Sequence, residues 1–389
     1  MTDVVLAGAC RTPVGKYGRA FRNVEAVKLG SLAVAEAVNR SGLVPADIEE
    51  VLMGNVIAAG LGQNPARQAA LFGGLPERVG AVTVNKVCGS GLQTVMFASD
   101  MIRAGSAEIL LAGGMESMSR APYLVKEARW GIGINSVPFV DAMVNDGLWD
   151  AYNQYHMGIT GELVAEKFHV SREEMDRFAL ESQRRAASAT QEGRFKEQIV
   201  PVAVPGAARV EVDEGIRTDT TLEKLARLPP VFRDGGQVTA GNASQLSDGA
   251  AAMVVLSEAA AERHGATPLA RVVDYGTVGV KPEDVMEAPI LGVRKLLKKT
   301  GFSVDDIDLF EHNEAYAAAS VSVMRELDIP PEKFNVNGGA VALGHPIGCS
   351  GARVLTTLIY AMKDRGAKRG LATLCLGGGN AVSMIIERP

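Results

Sequence analysis

The chain repeats itself, and this repeat restricts the fold more than any single motif. The segment SGLVPADIEEVLMGNV (41–56) runs turn, acidic helix start, strand, and TGFSVDDIDLFEHNEA (300–315) has the same layout, with Asp47-Ile48 matched by Asp306-Ile307. Next, CGSGLQTVMFASDMIRAGSAEILLAGGMESMS (88–119) lies beside GCSGARVLTTLIYAMKDRGAKRGLATLCLGGGNAVSM (348–384). Gly91 falls on Gly351 and Gly113 on Gly377. Chance gives one such match; an ordered series points to a duplicated half. Short runs apolar on both faces (VVLAGA, EILLAGG, AAMVVLS, LATLCLGG, AVSMIIE) alternate with helical segments, which predicts an α/β protein whose sheets are covered by helices.

Between the copies, roughly 120–248, the pattern changes. This stretch holds Trp130 and Trp149, four aromatics from Trp149 to Phe168, and a polar helix opened by a capping box, Ser171 with Glu174. It reads as an insertion over the active face, either an ordinary cover or, given basic tracts ahead of Thr221 and around Arg227, a ligand-contacting one. The expected organisation is residues 1–119 plus 249–268 as one core half, 120–248 as a loop domain, and 269–389 as the other half.

A net charge of −5 argues against a general grip on nucleic acid or an acidic membrane. No apolar run approaches the ~20 residues of a membrane helix, and MTDVVLAGACRTP reads as a first strand, Val4 to Ala9, rather than a signal peptide. A cytoplasmic protein is expected. The four cysteines, Cys10, Cys88, Cys349 and Cys375, form no CxxC pair and have no histidine at zinc-finger spacing, so neither a metal site nor a disulfide framework is expected.

Four segments carry chemistry. Cys88 ends a strand expected over Val82–Val87, and Gly89-Ser90-Gly91 turns the chain into a helix. A thiol there is exposed by the bend and meets free N–H groups, which lower its pKa; alone, it reads equally as a buried structural cysteine. His345, between Gly344 and Pro346 in a glycine-rich turn, is poorly placed for a core histidine. Cys375 ends an apolar strand before three glycines whose N–H groups could face an oxyanion. Asn313, in HNEAYAAA, reads by position as a helix N-cap.

The segments NKVCGSGLQ, GNASQLSDGAA, HNEAYAAA, NVNGGAVALGHPIGCSGAR and CLGGGNA closely resemble the thiolase family, and the resemblance runs from VVLAGACRTPVGKYG to IIERP. It implies a thiolase-like fold, two α/β halves in an α-β-α-β-α stack with an inserted loop domain. It implies that Cys88 becomes acylated, that His345 takes its proton, and that Cys375 is the second acid/base. His345 with a water on Asn313 would form one oxyanion hole, and the N–H groups of Cys88 and Gly377 the other. Ser244 would meet the pantetheine chain, Arg217 the adenine end or phosphates, and His156 and Met157 the acyl pocket.

Acetyl-CoA, acetoacetyl-CoA and coenzyme A are the implied substrates and products, with no tightly bound cofactor, in a homodimer or homotetramer. Met157 points to acetoacetyl-type chemistry, acetyl-CoA C-acetyltransferase. The alternative is a degradative 3-oxoacyl-CoA thiolase for longer or aromatic-pathway chains. One departure is Ala381, where short-chain members more often carry glycine.

Overall fold

A computed structural model describes residues 2–134, 136–204, 206 and 208–389. Nine strands carry the architecture: β1 Val4–Arg11, β2 Glu50–Gly54, β3 Gly80–Val84, β4 Ile109–Ser117, β5 Ser247–Ser257, β6 Ala270–Gly279, β7 Leu309–His312, β8 Arg369–Leu376 and β9 Asn380–Glu387. They lie in one mixed sheet in the order β7-β8-β9-β6-β1-β5-β4-β2-β3, with Gly15–Lys16 added as a short tenth strand beside β5. The main helices are α1 Ala26–Ser41, α2 Pro65–Phe72, α3 Ser90–Arg103, α4 Gly158–Lys167, α5 Arg172–Gln191, α6 Ala288–Thr300, α7 Ala317–Glu326 and α8 Ser350–Arg365.

The duplication is visible in the pairings. In the first half β2 is parallel to β4, and β4-β5 and β5-β1 are antiparallel. In the second, β7 is parallel to β8, and β8-β9 and β9-β6 are antiparallel. The outer strand β3 has a remnant counterpart, a parallel bridge from Phe310 to Phe334. The halves join along a short antiparallel contact, Val5 with Arg271 and Leu6 with Ala270.

Strands β1, β4 and β5 are buried throughout, so their central residues are apolar on both faces, and the buried polar residues, such as Arg11, Glu116 and Asp248, lie toward the strand ends. The burial sorts into layers. One cluster joins Leu6, Leu110 and Val255 of the first half through Val95 of α3 and Leu355 of α8 to Leu374 and Ile386 of the second. A second cluster packs α1 and α2, through Val34 and Ala69, on the other face at Val5 and Leu111. A third packs α6 and α7, through Val293 and Val323, on Phe310 and Ile385. The stack is therefore helices, strands, central helices, strands, helices, as the duplicated α-β-α-β-α reading expects.

The central helices cross where the repeat aligns two glycines. A Cβ on Gly91 would lie 2.7 Å from Ala352 N, and one on Gly351 would lie 2.2 Å from Leu92 N. Any larger residue would separate the two backbones there.

The described residues of 118–246 add no strand to the main sheet. They are tied back at Arg11, whose buried guanidinium forks onto Asp213 at 2.6 and 2.9 Å while its Nε donates to Gln198. Helix α5 starts with the expected capping box, Ser171 N donating to Glu174 and Glu174 N to Ser171 Oγ. Among the described residues no helix is long and apolar enough to cross a membrane.

Candidate active site

The first strand is longer than expected, reaching Arg11, because Cys10 and Arg11 still pair with Ala252 and Ala251. Strand β3 is shorter, ending at Val84. The chain from Asn85 to Gly89 is a tight turn, held by Val87 N on Asn85 Oδ1 and by Ser90 Oγ, which accepts from Lys86 N and donates to Val87 O. Val87 adopts φ +49°, a conformation a β-branched residue enters only when its surroundings enforce it. Gly89 is required by contact across the halves: a Cβ there would lie 2.2 Å from Leu376 Cδ2. This strained turn presents Cys88, half-buried, at the start of α3.

His345 follows Gly344, whose φ of +107° suits glycine alone. Its backbone N–H donates to Gln245 O at 3.0 Å. Its Nδ1 lies 2.5 Å from Ser350 Oγ, and that hydroxyl donates to Pro346 O at 2.8 Å. With the serine hydrogen so committed, Nδ1 keeps the imidazole proton and Nε2 is left as the basic nitrogen. Asn313 Nδ2 stands 3.4 Å from Nε2. Asn313 is not an N-cap: α7 begins at Ala317 with Tyr316 before it, so the position-based reading is corrected. Its side chain is fully buried and its Oδ1 has no protein partner, leaving an unused acceptor on the side chain that meets His345.

Cys375 lies near the end of β8, 1% exposed, with its thiol 3.7 Å from Met286 Sδ. The turn Gly377-Gly378-Gly379 follows, with φ of +85° and +82° at the last two. Gly377 lines the same space as Cys88, and the backbone N–H groups of Gly377 and of Cys88 itself lower the proton affinity of the Cys88 thiol.

The electrostatics differ from expectation at one point. Burial pushes the Cys88 thiol up to about 12, and the two N–H groups offset this only in part. The helix start therefore does not hold a thiolate at rest, because desolvation outweighs it. Burial, aided by the Arg353 charge, depresses His345 to about 3, and burial raises Cys375 above the usual thiol range. All three groups are neutral at rest. Cys88 and His345 line the same space without a hydrogen bond between them.

That space is a cavity of about 50 Å³ lined by Cys88, His345, Cys375 and Gly377 and walled by Leu148, Met157, Met286, Tyr316 and Ile347. It adjoins a cleft of about 450 Å³ that carries Lys16, His156, Arg217 and Phe232, and the two share Leu148, Ser244 and Tyr316. Met157 thus sits at the catalytic cavity, Ser244 at the junction, and His156 and Arg217 in the cleft. His156 does not line the catalytic cavity; it stacks on Phe232 at 4.8 Å. Arg227 is exposed and lines neither space. A larger hollow of about 540 Å³ between α5 and α7 holds no thiol and no histidine, so the chemistry favours the smaller cavity.

Some residues escaped the sequence reading. Ser350 sets the His345 tautomer. Glu116, pushed up to about 7 by burial, accepts from Gly348 N, Val56 N, Ile57 N and Asn55, fixing the histidine loop to the first half. Met286 and Tyr316 close the cavity. Ser350 had a signal, being within a turn of His345 beside Gly351; Met286 had none. No cluster of His, Cys, Asp or Glu able to hold a metal occurs among the described residues.

An arrangement of two thiols, one histidine and inward N–H groups in an apolar cavity can carry an acyl group on one sulfur while the other moves a proton. Comparison with known proteins agrees. The model of the thiolase N-terminal domain matches residues 4–259 and that of the thiolase C-terminal domain residues 266–388. Proteins named probable acetyl-CoA acyltransferase from Staphylococcus aureus strains COL and NCTC 8325 are 51% and 50% identical, each alignment covering 100% of both chains. The crystal structure of the Bacillus anthracis acetyl-CoA acetyltransferase superposes with a TM-score of 0.98 at 43% identity, covering 100% of this chain and 99% of that one. With its sequence matched from one end to the other and its thiols and histidine gathered in one cavity, the chain belongs to the thiolase family.

Proposed function

We propose that this thiolase acyltransferase is an acetyl-CoA C-acetyltransferase, interconverting two acetyl-CoA with acetoacetyl-CoA and coenzyme A through an acetyl group on Cys88. The observation that supports the short acyl group is the catalytic cavity. At about 50 Å³, closed by Leu148, Met157, Met286 and Ile347, it has room for little more than two carbons beside the sulfur. The adjoining cleft, with Ser244 at its inner end and Arg217 and Lys16 on its walls, is the proposed route of the pantetheine chain and the phosphates.

In the cleavage direction, Cys88 gives its proton to His345 Nε2 as the sulfur attacks C3 of acetoacetyl-CoA. The N–H groups of Cys88 and Gly377 receive the oxyanion. The C2–C3 bond breaks, and the enolate, held by His345 and a water on Asn313, takes a proton from Cys375. Coenzyme A then enters and gives its thiol proton to Cys375. Its sulfur attacks the acetyl group, and the Cys88 sulfur leaves, recovering its proton from His345. Condensation is the reverse. The high resting proton affinity of Cys375 suits the donor step, and the kinetics are ping-pong. We extend the proposal to the division at 1–119 with 249–268, 120–248 and 269–389, and to a cytoplasmic homotetramer. Exposed Trp130, Ile132, Ile134 and Phe139 supply apolar surface for the assembly.

The names of the Staphylococcus aureus relatives favour a second reading, a 3-oxoacyl-CoA thiolase for longer chains. CoA-dependent cleavage of acetoacetyl-CoA against six- to sixteen-carbon 3-oxoacyl-CoA decides. Steep preference for acetoacetyl-CoA supports the first reading, equal or better turnover of longer chains the second. No cleavage by folded protein removes both.

A further inference from the structure

Helix α4 carries two glycines near its start, Gly158 and Gly161, that its backbone does not need. Neither has a positive φ, and glycine in a helix costs up to about 1 kcal/mol relative to alanine. What they provide is room. A Cβ on Gly158 would lie 2.1 Å from Phe232 Cγ and 2.3 Å from both its Cδ atoms. A Cβ on Gly161 would lie 2.9 Å from Tyr316 Cγ and 3.1 Å from Cδ1. The two rings meet edge to face at 6.1 Å, and His156 stacks on Phe232. Phe232 and His156 line the cleft, and Tyr316 lines both the cleft and the catalytic cavity, whereas neither glycine lines either space.

We propose that Gly158 and Gly161 set the bore between the cleft and the Cys88 cavity by seating Phe232 and Tyr316 against α4, which makes position 161 a specificity-determining site for the acyl group. The proposal rests on the reading that the cavity beside Cys88 receives the acyl group. A methyl on residue 161 has the Tyr316 ring as its nearest neighbour, so the ring must yield, and that ring borders both the cavity and the cleft. Close packing leaves few other ways to absorb the shift. Removing the ring does the opposite: it joins the small cavity to the large cleft and admits longer chains.

The test is thiolysis of acetoacetyl-CoA and of 3-oxohexanoyl-CoA by wild type, Gly161→Ala, Tyr316→Leu and the double variant, with thermal unfolding to confirm that each is folded. Gly161→Ala is expected to lower kcat/KM for the six-carbon substrate at least threefold more than for the four-carbon one. Tyr316→Leu is expected to shift that ratio at least threefold the other way, and in its background Gly161→Ala should no longer change the ratio. Equal effects of Gly161→Ala on both substrates, or an undiminished effect without the ring, would overturn the proposal. Should Gly161→Ala fail to fold, Gly158→Ala against Gly158→Ala/Phe232→Leu reads the same ratio, with the same outcomes required. A wild type that prefers the longer substrate defeats the acetyl reading, while the shifts between variants still decide on the seat.

Discussion

The turn before α3 and the turn before α8 are copies of each other with different tasks. Ser90 and Ser350 both return a hydroxyl to a nearby carbonyl, Val87 O in one and Pro346 O in the other. In the first half the hydroxyl then accepts a backbone N–H, from Lys86, and merely closes the turn that holds Cys88. In the second it contacts the His345 imidazole. Along the aligned repeat, Cys88 corresponds to Gly348, Cys375 to Leu111 and Glu311 to Leu52. Leu111 is a fully buried apolar residue and Leu52 belongs to the shared apolar layer. The reactive set is thus split across the copies, with one thiol from the first half and the histidine and second thiol from the other. A duplicated frame supplies two equivalent turns, and small substitutions on it supply unlike functions.

The largest test of this asymmetry is Cys375→Ser. The counterpart site tolerates leucine, so stability should be little changed, while condensation should fall by about 10²–10⁴-fold, the range of a lost general acid/base. Slow acylation of Cys88, seen by mass spectrometry after mixing with acetyl-CoA, should persist. Normal acetoacetyl-CoA synthesis by this variant would remove Cys375 from the mechanism.

The paired serines come next. Ser350→Ala should lower kcat about 10–100-fold, the value of a hydrogen bond to a group that becomes charged, because His345 loses the partner that fixes its tautomer. Ser90→Ala should cost mainly stability, about 1 kcal/mol in denaturant unfolding. Equal kinetic losses in the two would mean that the hydroxyls serve the same purpose.

The effect on catalysis is smallest for the last test, which reads the pH dependence of stability. Burial pushes Glu311 up to about 8, with Arg353 opposing in part. A carboxyl raised on folding binds its proton more tightly in the native state. Its contribution is complete below about pH 4.5 and is lost as pH rises through about 8. Unfolding free energies should decline over that window in wild type and decline less in Glu311→Gln. Parallel profiles would show that Glu311 is satisfied as the ion.

Much of this was legible in the sequence. The repeat predicted two α/β halves and the resemblance their stacking; the glycines that the repeat aligns, Gly91 and Gly351, are where the central helices cross. Cys88, His345 and Cys375 stood out because glycine-rich turns mark them. Asn313 was misread from position, since the helix it seemed to cap starts at Ala317. The resting state of Cys88 was misjudged because a sequence shows the helix start but not the burial that overrides it. Met286, Glu116 and the ring seats on α4 have no local signature, and each acts only through residues far away in the chain.

The shared central layer also has a consequence for how the chain is made. The first half lacks β5 until residue 257 is synthesised, and α8, which covers the inner face of both sets of strands, comes only with residues 350–365. Until then a broad apolar surface waits uncovered on the ribosome, the condition under which nascent chains associate wrongly or recruit chaperones. The shared layer is complete only once residues 350–365 have been made, so truncation before α8 would leave part of the inner face of both halves uncovered.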